Sequence, residues 1–158
     1  MSKVKIYQID PWHCMPLLGM TEFLKSNNLG IPADSKTCNG FQPQIDNPIL
    51  WPKFQGLYNS VKEHIDKETT VEWEIWRSWV ISYNKGGWQN CHTHHDSILS
   101  AVVCLIGDGK SGILEFETSD KFKMTQGDMV IFPSNIKHWA HEVENPKTVL
   151  SFDIREKQ

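Results

Sequence analysis

The residues best suited to chemistry lie in one short stretch, Tyr83–Leu105, which reads YNKGGWQNCHTHHDSILSAVVCL. Three histidines and one aspartate occupy the five positions from His92 to Asp96. On a β-strand, residues two apart project from the same face, so His92 and His94 would point together. One divalent metal ion, bound about 2.1 Å from each imidazole nitrogen, fits between two such side chains. His95 would point to the opposite face, whereas Asp96 returns to the ligand face and is an alternative third ligand.

Another ligand must come from a distant part of the chain if a divalent ion is to be held. The best candidate is His138, in the segment GDMVIFPSNIKHWAHEV. It follows an apolar run that begins at a Gly127–Asp128 turn and ends at Pro133. His141 is a local competitor. The combination of HxH, about forty intervening residues and a histidine after a Gly-Asp strand predicts a metal site at His92, His94 and His138.

The elements that must position these histidines are mainly strands. After Thr69 the hydrophobic pattern changes from the helical period to alternation, which predicts a long strand over 70–83. Further strands are expected at 97–107, 113–117, 129–133 and 147–154, with the segment GDGKSG as a hairpin turn. Many short strands separated by glycine turns favour a sandwich or barrel. Before them, the apolar spacing predicts packing helices over Leu17–Asn28 and Phe54–Glu68.

The motifs that contain the three histidines resemble those of a known enzyme superfamily. The spacing Tyr83–x2–Gly86–x5–His92–x–His94, with the segment GDMVIFPSNIKH, resembles the metal-site motifs of the 2-oxoglutarate/Fe(II)-dependent oxygenase superfamily. HTHHDSILSAVVCL is closer still to a bacterial and phage oxygenase subgroup with an HxH motif. The resemblance spans about Trp73–Ile154. It implies a double-stranded β-helix (a jelly roll, cupin-like) and an oxygenase that uses Fe(II), 2-oxoglutarate and O2, with hydroxylation of an unidentified substrate as the default reaction.

The resemblance also assigns roles position by position. His92 matches the first ligand and His138 the distal ligand, while His94 stands where most of the superfamily has aspartate. Three neutral imidazoles leave Fe(II) with its full +2 charge, whereas a ligand aspartate leaves +1. Nine residues after the distal histidine, where the family has an arginine for the far carboxylate of 2-oxoglutarate, this chain has Lys147. The set expected to bind the cosubstrate is Lys147, Tyr83 and Ser151, and no catalytic residue is expected beyond the metal ligands.

Two other functions fit the same residues. A metal-binding cupin that does not use 2-oxoglutarate would share the histidines, but the glutamate that cupins place shortly after the HxH is absent, because Ile98 and Leu99 stand there. A non-enzymatic jelly-roll binding module is the other alternative. Its stacking platform would consist of the strand-region tryptophans, Trp73, Trp76, Trp79, Trp88 and Trp139.

Length and composition set the remaining expectations. The chain of 158 residues is 39% hydrophobic and 22% charged and has a net charge of −3. We therefore expect a single domain over 1–158, with a helical or irregular N-terminal part at 1–69 and a β core at 70–155. The charge argues against nucleic-acid or membrane partners. The expected partner is a substrate, either a small molecule or a protein side chain. No secretion signal or CxxC pair is apparent, so we expect a cytoplasmic, soluble protein with four reduced cysteines. The tryptophan-rich strands leave room for a homodimer.

Overall fold

A computed structural model describes residues 4–34 and 36–158 of the chain. The described residues form two α-helices and ten β-strands, with short 3-10 turns at Pro11–His13, Pro48–Leu50 and Pro52–Phe54. The helices are α1 (Met15–Ser26) and α2 (Gln55–Glu68). The strands are β1 (Lys5–Gln8), β2 (Gly30–Pro32), β3 (Thr37–Pro43), β4 (Trp73–His92), β5 (Leu99–Ile106), β6 (Leu114–Phe116), β7 (Lys121–Phe122), β8 (Asp128–Pro133), β9 (His138–Ala140) and β10 (Lys147–Glu156).

Both helices lie where their hydrophobic spacing predicts them, within two residues at each end. In α2 the buried positions Leu57, Val61 and Ile65 are four residues apart and form one apolar stripe. This stripe packs in one cluster with the outward-facing residues Leu150, Phe152 and Ile154 of β10. The helices therefore cover the outer face of the sheet and leave its inner face for the site.

The strands form one curled antiparallel sheet in the order β1-β8-β5-β10-β4-β9-β6-β7, with β3 also pairing with β4. The first half of β4 pairs with β10, while its last residues pair with β9. The chain bends between these halves at Gly86, whose φ of 86° belongs to the left-handed region that glycine adopts without a steric cost. Strand β4 is thus part of both walls of the roll, the one that contains β10 and the one that contains β9. The predicted double-stranded β-helix is confirmed.

Several sequence-based expectations about individual elements are wrong. The strand predicted over 70–83 continues to His92, because Gly86 bends the strand and does not end it. GDGKSG is not a hairpin turn: β5 pairs with β8 and β10, whereas β6 pairs with β7 and β9, so the turn crosses between the two walls. Strands β1, β2 and β3 lie in the N-terminal part that was expected to be helical or irregular.

Strand β10 is central to the molecule, since it lies between β4 and β5 and is buried from Lys147 to Ile154. Alternate residues of a strand face opposite sides. While Leu150 and Phe152 face the helices, Val149 packs on the inner side with Ile81 and Tyr83. Polar side chains of β10 that lie an even number of residues from Lys147 therefore point into the roll.

Two further expectations concern the whole chain. The four cysteines are free thiols, as expected: Cys14 and Cys104 are buried, and Cys38 and Cys91 are exposed. Among the residues that the structure describes, neither helix is both long and apolar enough to cross a membrane.

Candidate metal centre

Three imidazoles converge inside the open end of the roll. The ring nitrogens that His92, His94 and His138 can offer all lie within 4.8 Å of one another. His92 and His138 are directly paired, since the end of β4 meets the start of β9 at these two residues. His94 lies two residues beyond the end of β4, where its backbone N–H donates to the carbonyl of Ser134 at 2.9 Å. Two separated segments thus bring together the three histidines that the sequence singled out.

The second nitrogen of each ring has its own partner. Nδ1 of His92 lies 2.7 Å from the carbonyl of Asn90, and Nδ1 of His138 lies 3.1 Å from the carbonyl of Ile136. Because a carbonyl oxygen only accepts, each Nδ1 must carry the proton and donate. Nδ1 of His94 faces a carboxylate, with 3.0 Å to Oδ1 of Asp153, and also donates. In a neutral ring of this tautomer Nε2 carries no proton, which is the form in which imidazole binds a metal.

The spacing of the nitrogens suits one metal ion. Nε2 of His94 and Nε2 of His138 are 3.2 Å apart. Two nitrogens each about 2.1 Å from a single ion lie about 3.0 Å apart at a right angle and about 3.4 Å apart at the tetrahedral angle. A cation shared by the two Nε2 lone pairs would stabilise nitrogens held at this distance. Imidazole ligands suit Fe, Zn, Cu and Ni, so the donor set fits Fe(II).

Burial keeps two of these imidazoles neutral. Burial lowers the pKa of His138 to about 3, and the neighbouring His92 adds to this shift. Burial also lowers the pKa of His92, although the hydrogen bond to the Asn90 carbonyl raises it in part. Phe132 and Phe116 pack around His138, with ring centroids 4.7 and 5.6 Å away. Because a metal binds the neutral ring, protons compete weakly for these ligands near neutral pH.

Asp153 and Arg77 are site residues that the sequence reasoning missed. Asp153 is fully buried on β10 and receives hydrogen bonds from His94, from Ser100 and from Nε of Arg77. Burial alone would raise the pKa of this carboxyl, but the hydrogen bonds from His94, Ser100 and Arg77 lower it overall. A signal was available, because Asp153 shares strand parity with Lys147 and Ser151 in the apolar run KTVLSFDI.

The other polar candidates near the motif lie outside the cluster. Asp96, the alternative third ligand, is exposed and takes a φ of 58° in the turn after His94, so the strand alternation that placed it on the ligand face does not reach it. His95 is exposed, and its carbonyl accepts from Arg77. His141 bonds Glu115 at 2.7 Å with its ring 48% exposed. Within 4–34 and 36–158, the triad is the only such group of potential metal ligands.

A narrow cavity leads from the triad into the roll. Besides the three histidines, its lining includes the residues that the resemblance assigns to the cosubstrate, Lys147, Tyr83 and Ser151. Lys147 and Tyr83 are register partners on β10 and β4, and both are buried. Burial raises the pKa of Tyr83, so its hydroxyl stays neutral.

Lys147 is a buried lysine that forms no ion pair with the described residues. Its Nζ donates to the carbonyl of Gly112 at 2.8 Å. Burial lowers the pKa of this ammonium. A buried charge is costly unless it is paired, so this end of the cavity favours an anion.

On the other side of the triad, an open cleft of about 370 Å³ reaches the surface. His92 and His94 form part of its floor, and Arg77, Trp79 and Gln89 are among its walls. The guanidinium of Arg77 lies 4.2 Å from the ring of Trp76 and is partly exposed. His92 and His94 therefore line two cavities, one narrow and one open, and His138 lines the narrow one.

The sequence matches no protein-family model and no curated protein. The fold matches solved structures. The collagen prolyl hydroxylase of Paramecium bursaria Chlorella virus-1, in its 2-oxoglutarate complex, has a TM-score of 0.75 at 15% identity, over 98% of this chain and 96% of that chain. The prolyl hydroxylase of Trichoplax adhaerens, with a hypoxia-inducible-factor peptide, has a TM-score of 0.78 at 11% identity, over 99% and 84%. The non-heme α-ketoglutarate-dependent epimerase SnoN of nogalamycin biosynthesis has a TM-score of 0.76 at 10% identity, over 98% of this chain and 78% of that chain. The motif resemblance is thus confirmed at the level of the fold.

Proposed function

We propose that this protein is an Fe(II)- and 2-oxoglutarate-dependent oxygenase and that it hydroxylates its substrate. The observation that carries the proposal is one cavity lined both by the imidazoles of His92, His94 and His138 and by the buried side chain of Lys147, which makes no ion pair among the described residues. A metal alone would account for the imidazoles. The combination suits a metal chelator that also carries a distant negative charge, as 2-oxoglutarate does.

His92, His94 and His138 would hold Fe(II) through their Nε2 atoms. Three ligands leave the remaining coordination positions open, as non-heme iron oxygenases require. With 2-oxoglutarate and O2, the metal supplies the oxidative chemistry, in which substrate, 2-oxoglutarate and O2 give hydroxylated substrate, succinate and CO2. The protein contributes fixed ligands, a dry inner cavity and an open approach for the substrate.

Lys147 would pair with the far carboxylate of 2-oxoglutarate. Its ammonium makes no ion pair among the described residues, and it keeps two N–H groups besides the one donated to Gly112. Tyr83 and Ser151 line the same cavity and would donate hydroxyl hydrogen bonds to the carboxylates. Lysine gives a point-charge contact where the arginine of the wider family gives a fork.

The substrate would enter through the open cleft beside His92 and His94. Among the structural relatives, one is solved with a peptide fragment and another is an epimerase of nogalamycin biosynthesis. We therefore propose a protein side chain or a small molecule as the substrate. The cleft is lined by groups of both charges, including Asp34, Lys36 and Arg77, which suits a polar substrate.

An anaerobic titration tests the proposal. Fe(II) and then 2-oxoglutarate are added to the purified protein while the visible spectrum is recorded. A charge-transfer band is expected only when both are present, and succinate, which lacks the keto group, is the matched control that should give no band. Admitting O2 should then convert 2-oxoglutarate to succinate. Bound iron without a band on adding 2-oxoglutarate would overturn the proposal and favour a cupin that does not use this cosubstrate.

A further inference from the structure

Behind the His94 ring, on the side away from the other two histidines, lies a carboxylate that no solvent reaches. Asp153 is 0% exposed, and its two oxygens lie 3.0 and 3.2 Å from Nδ1 of His94. The opposite nitrogen of the same ring, Nε2, faces His138. The imidazole therefore stands between the carboxylate and the proposed metal position.

The neighbours of Asp153 fix it from both adjacent strands. Its register partners are Ser100 on β5 and Arg77 on β4, and both donate to it, with 2.6 Å from Oγ of Ser100 to Oδ1. Ser100 also bonds the hydroxyl of Ser134 at 2.8 Å, and the carbonyl of Ser134 accepts from the backbone of His94. These contacts close a ring that holds His94 by its side chain and by its main chain.

From this geometry we infer that Asp153 is the positioning residue of His94 and supplies, from behind the ring, the negative charge that a three-histidine centre lacks. The inference rests on the proposed metal centre. A carboxylate that accepts the Nδ1 proton of a ligand histidine fixes the tautomer and the orientation of the ring and makes Nε2 a better donor. Asp153 therefore takes over part of the electrostatic role of an aspartate ligand without contacting the ion.

The ion pair with Arg77 does not by itself explain this arrangement. Arg77 reaches the surface with 38% of its side chain exposed, whereas Asp153 is wholly enclosed. Solvent therefore screens the cation more than it screens the carboxylate. A purely structural ion pair would also have no need of the His94 contact. Net negative charge therefore remains behind His94.

The test is metal affinity, measured by anaerobic Co(II) titration of the full chain. Asp153→Asn keeps the shape and removes the charge, and it should weaken Co(II) binding about 10- to 100-fold. The matched control is Asp128→Asn, a buried aspartate on β8 that bonds Thr125 and Gln8 and not the triad. The control should bind Co(II) as tightly as the wild type.

A double-mutant comparison separates an effect through His94 from a general loss of packing. The variants His94→Ala and His94→Ala/Asp153→Asn should bind Co(II) within about twofold of each other. Both lack the His94 ring, through which Asp153 acts on the metal. Ser100→Ala removes the hydrogen bonds to Asp153 and Ser134 and keeps the charge, so it should weaken binding less than Asp153→Asn does, about fivefold. If Asp153→Asn does not fold, the Co(II) affinity of Ser100→Ala tests the inference in its place.

The outcomes are distinct. Wild-type affinity in Asp153→Asn or, if that variant does not fold, in Ser100→Ala would overturn the inference and leave the metal centre intact. An equal further loss when Asp153→Asn is added to His94→Ala would also overturn it. A wild-type protein that binds no Co(II) would overturn the inference together with the proposed function.

Discussion

Replacing Lys147 with methionine should weaken 2-oxoglutarate binding and, at the same time, stabilise the protein without cosubstrate. The reason is the buried ammonium, which donates to the neutral carbonyl of Gly112 and makes no ion pair with the described residues. Methionine keeps the apolar stem of the side chain and removes the charge. The two effects have opposite signs, which a general disruption of the fold cannot produce.

The size of the loss follows from the contact. Removing one partner of a buried, hydrogen-bonded charge pair costs about 2–5 kcal/mol. Lysine makes a point contact and already shares one N–H with Gly112, so we expect the lower part of this range, about 2–3 kcal/mol. That corresponds to a rise of about 30- to 150-fold in the dissociation constant of 2-oxoglutarate.

The gain in stability has a characteristic pH dependence. Burial lowers the pKa of Lys147 in the folded protein, so the unfolded chain binds the proton more tightly. The ammonium therefore destabilises the fold below its folded pKa, and this cost is lost as the pH rises towards the unfolded value of about 10.4. We expect Lys147→Met to raise the free energy of unfolding by about 1 kcal/mol at pH 7, and the difference from wild type to shrink as the pH approaches 10.

Three measurements check this: the intensity of the Fe(II)–2-oxoglutarate band against 2-oxoglutarate concentration, iron content, and denaturant unfolding of the metal-free protein. Iron content should be unchanged. The matched control is Lys25→Met, since Lys25 is a partly buried lysine of α1 whose Nζ donates to Ser82 and Asn84 of β4. If Lys147→Met binds 2-oxoglutarate as the wild type does, another residue holds the far carboxylate and the reasoning is refuted.

The remaining predictions concern the turn beside this lysine and the ligands. Gly112→Ala and Gly109→Ala both place a side chain at positive φ (64° and 68°) and should each cost about 1–2 kcal/mol of stability. Only Gly112→Ala should also weaken 2-oxoglutarate binding, since its Cβ would lie 3.3 Å from Cδ of the buried lysine; equal affinity in the two variants would contradict this. His138→Ala should lower iron affinity by orders of magnitude, measured by equilibrium dialysis, and full occupancy would remove it from the ligand set. His94→Ala should lose iron affinity and Asp96→Asn should keep it; the reverse would make Asp96 the ligand.

Part of the site could be predicted because it depends on local rules. Side-chain alternation on a strand places His92 near His94, and Lys147 on the inner face of β10 follows from the same alternation. The distance between HxH and His138 is not a local property: the Gly-Asp strand before His138 made it the candidate, and the resemblance to known oxygenases supported that choice. Asp153 was missed, although its strand parity placed it on the same inner face as Lys147 and Ser151.

The errors in the fold have a common physical cause. Turn chemistry at Gly109 and Gly112 shows that the chain reverses, but not which strand lies beside it, because neighbours in a sheet are chosen by packing across the whole molecule. Short strands such as β9 (His138–Ala140) bury too few residues to give a periodic signal. In the sequence Gly86 indicates the end of a strand. In the structure its positive φ bends β4 around the roll, and the strand continues.

Proton NMR of the Co(II)-substituted protein tests the central claim most directly. Each ligand imidazole keeps a proton on Nδ1, donated to Asn90, Ile136 or Asp153, and an ion on Nε2 shifts that exchangeable proton far outside the normal range. Three imidazoles on one ion predict three such signals, one of which disappears in each of His92→Ala, His94→Ala and His138→Ala. Two signals or fewer in wild-type protein with one bound Co(II) would contradict the three-histidine centre.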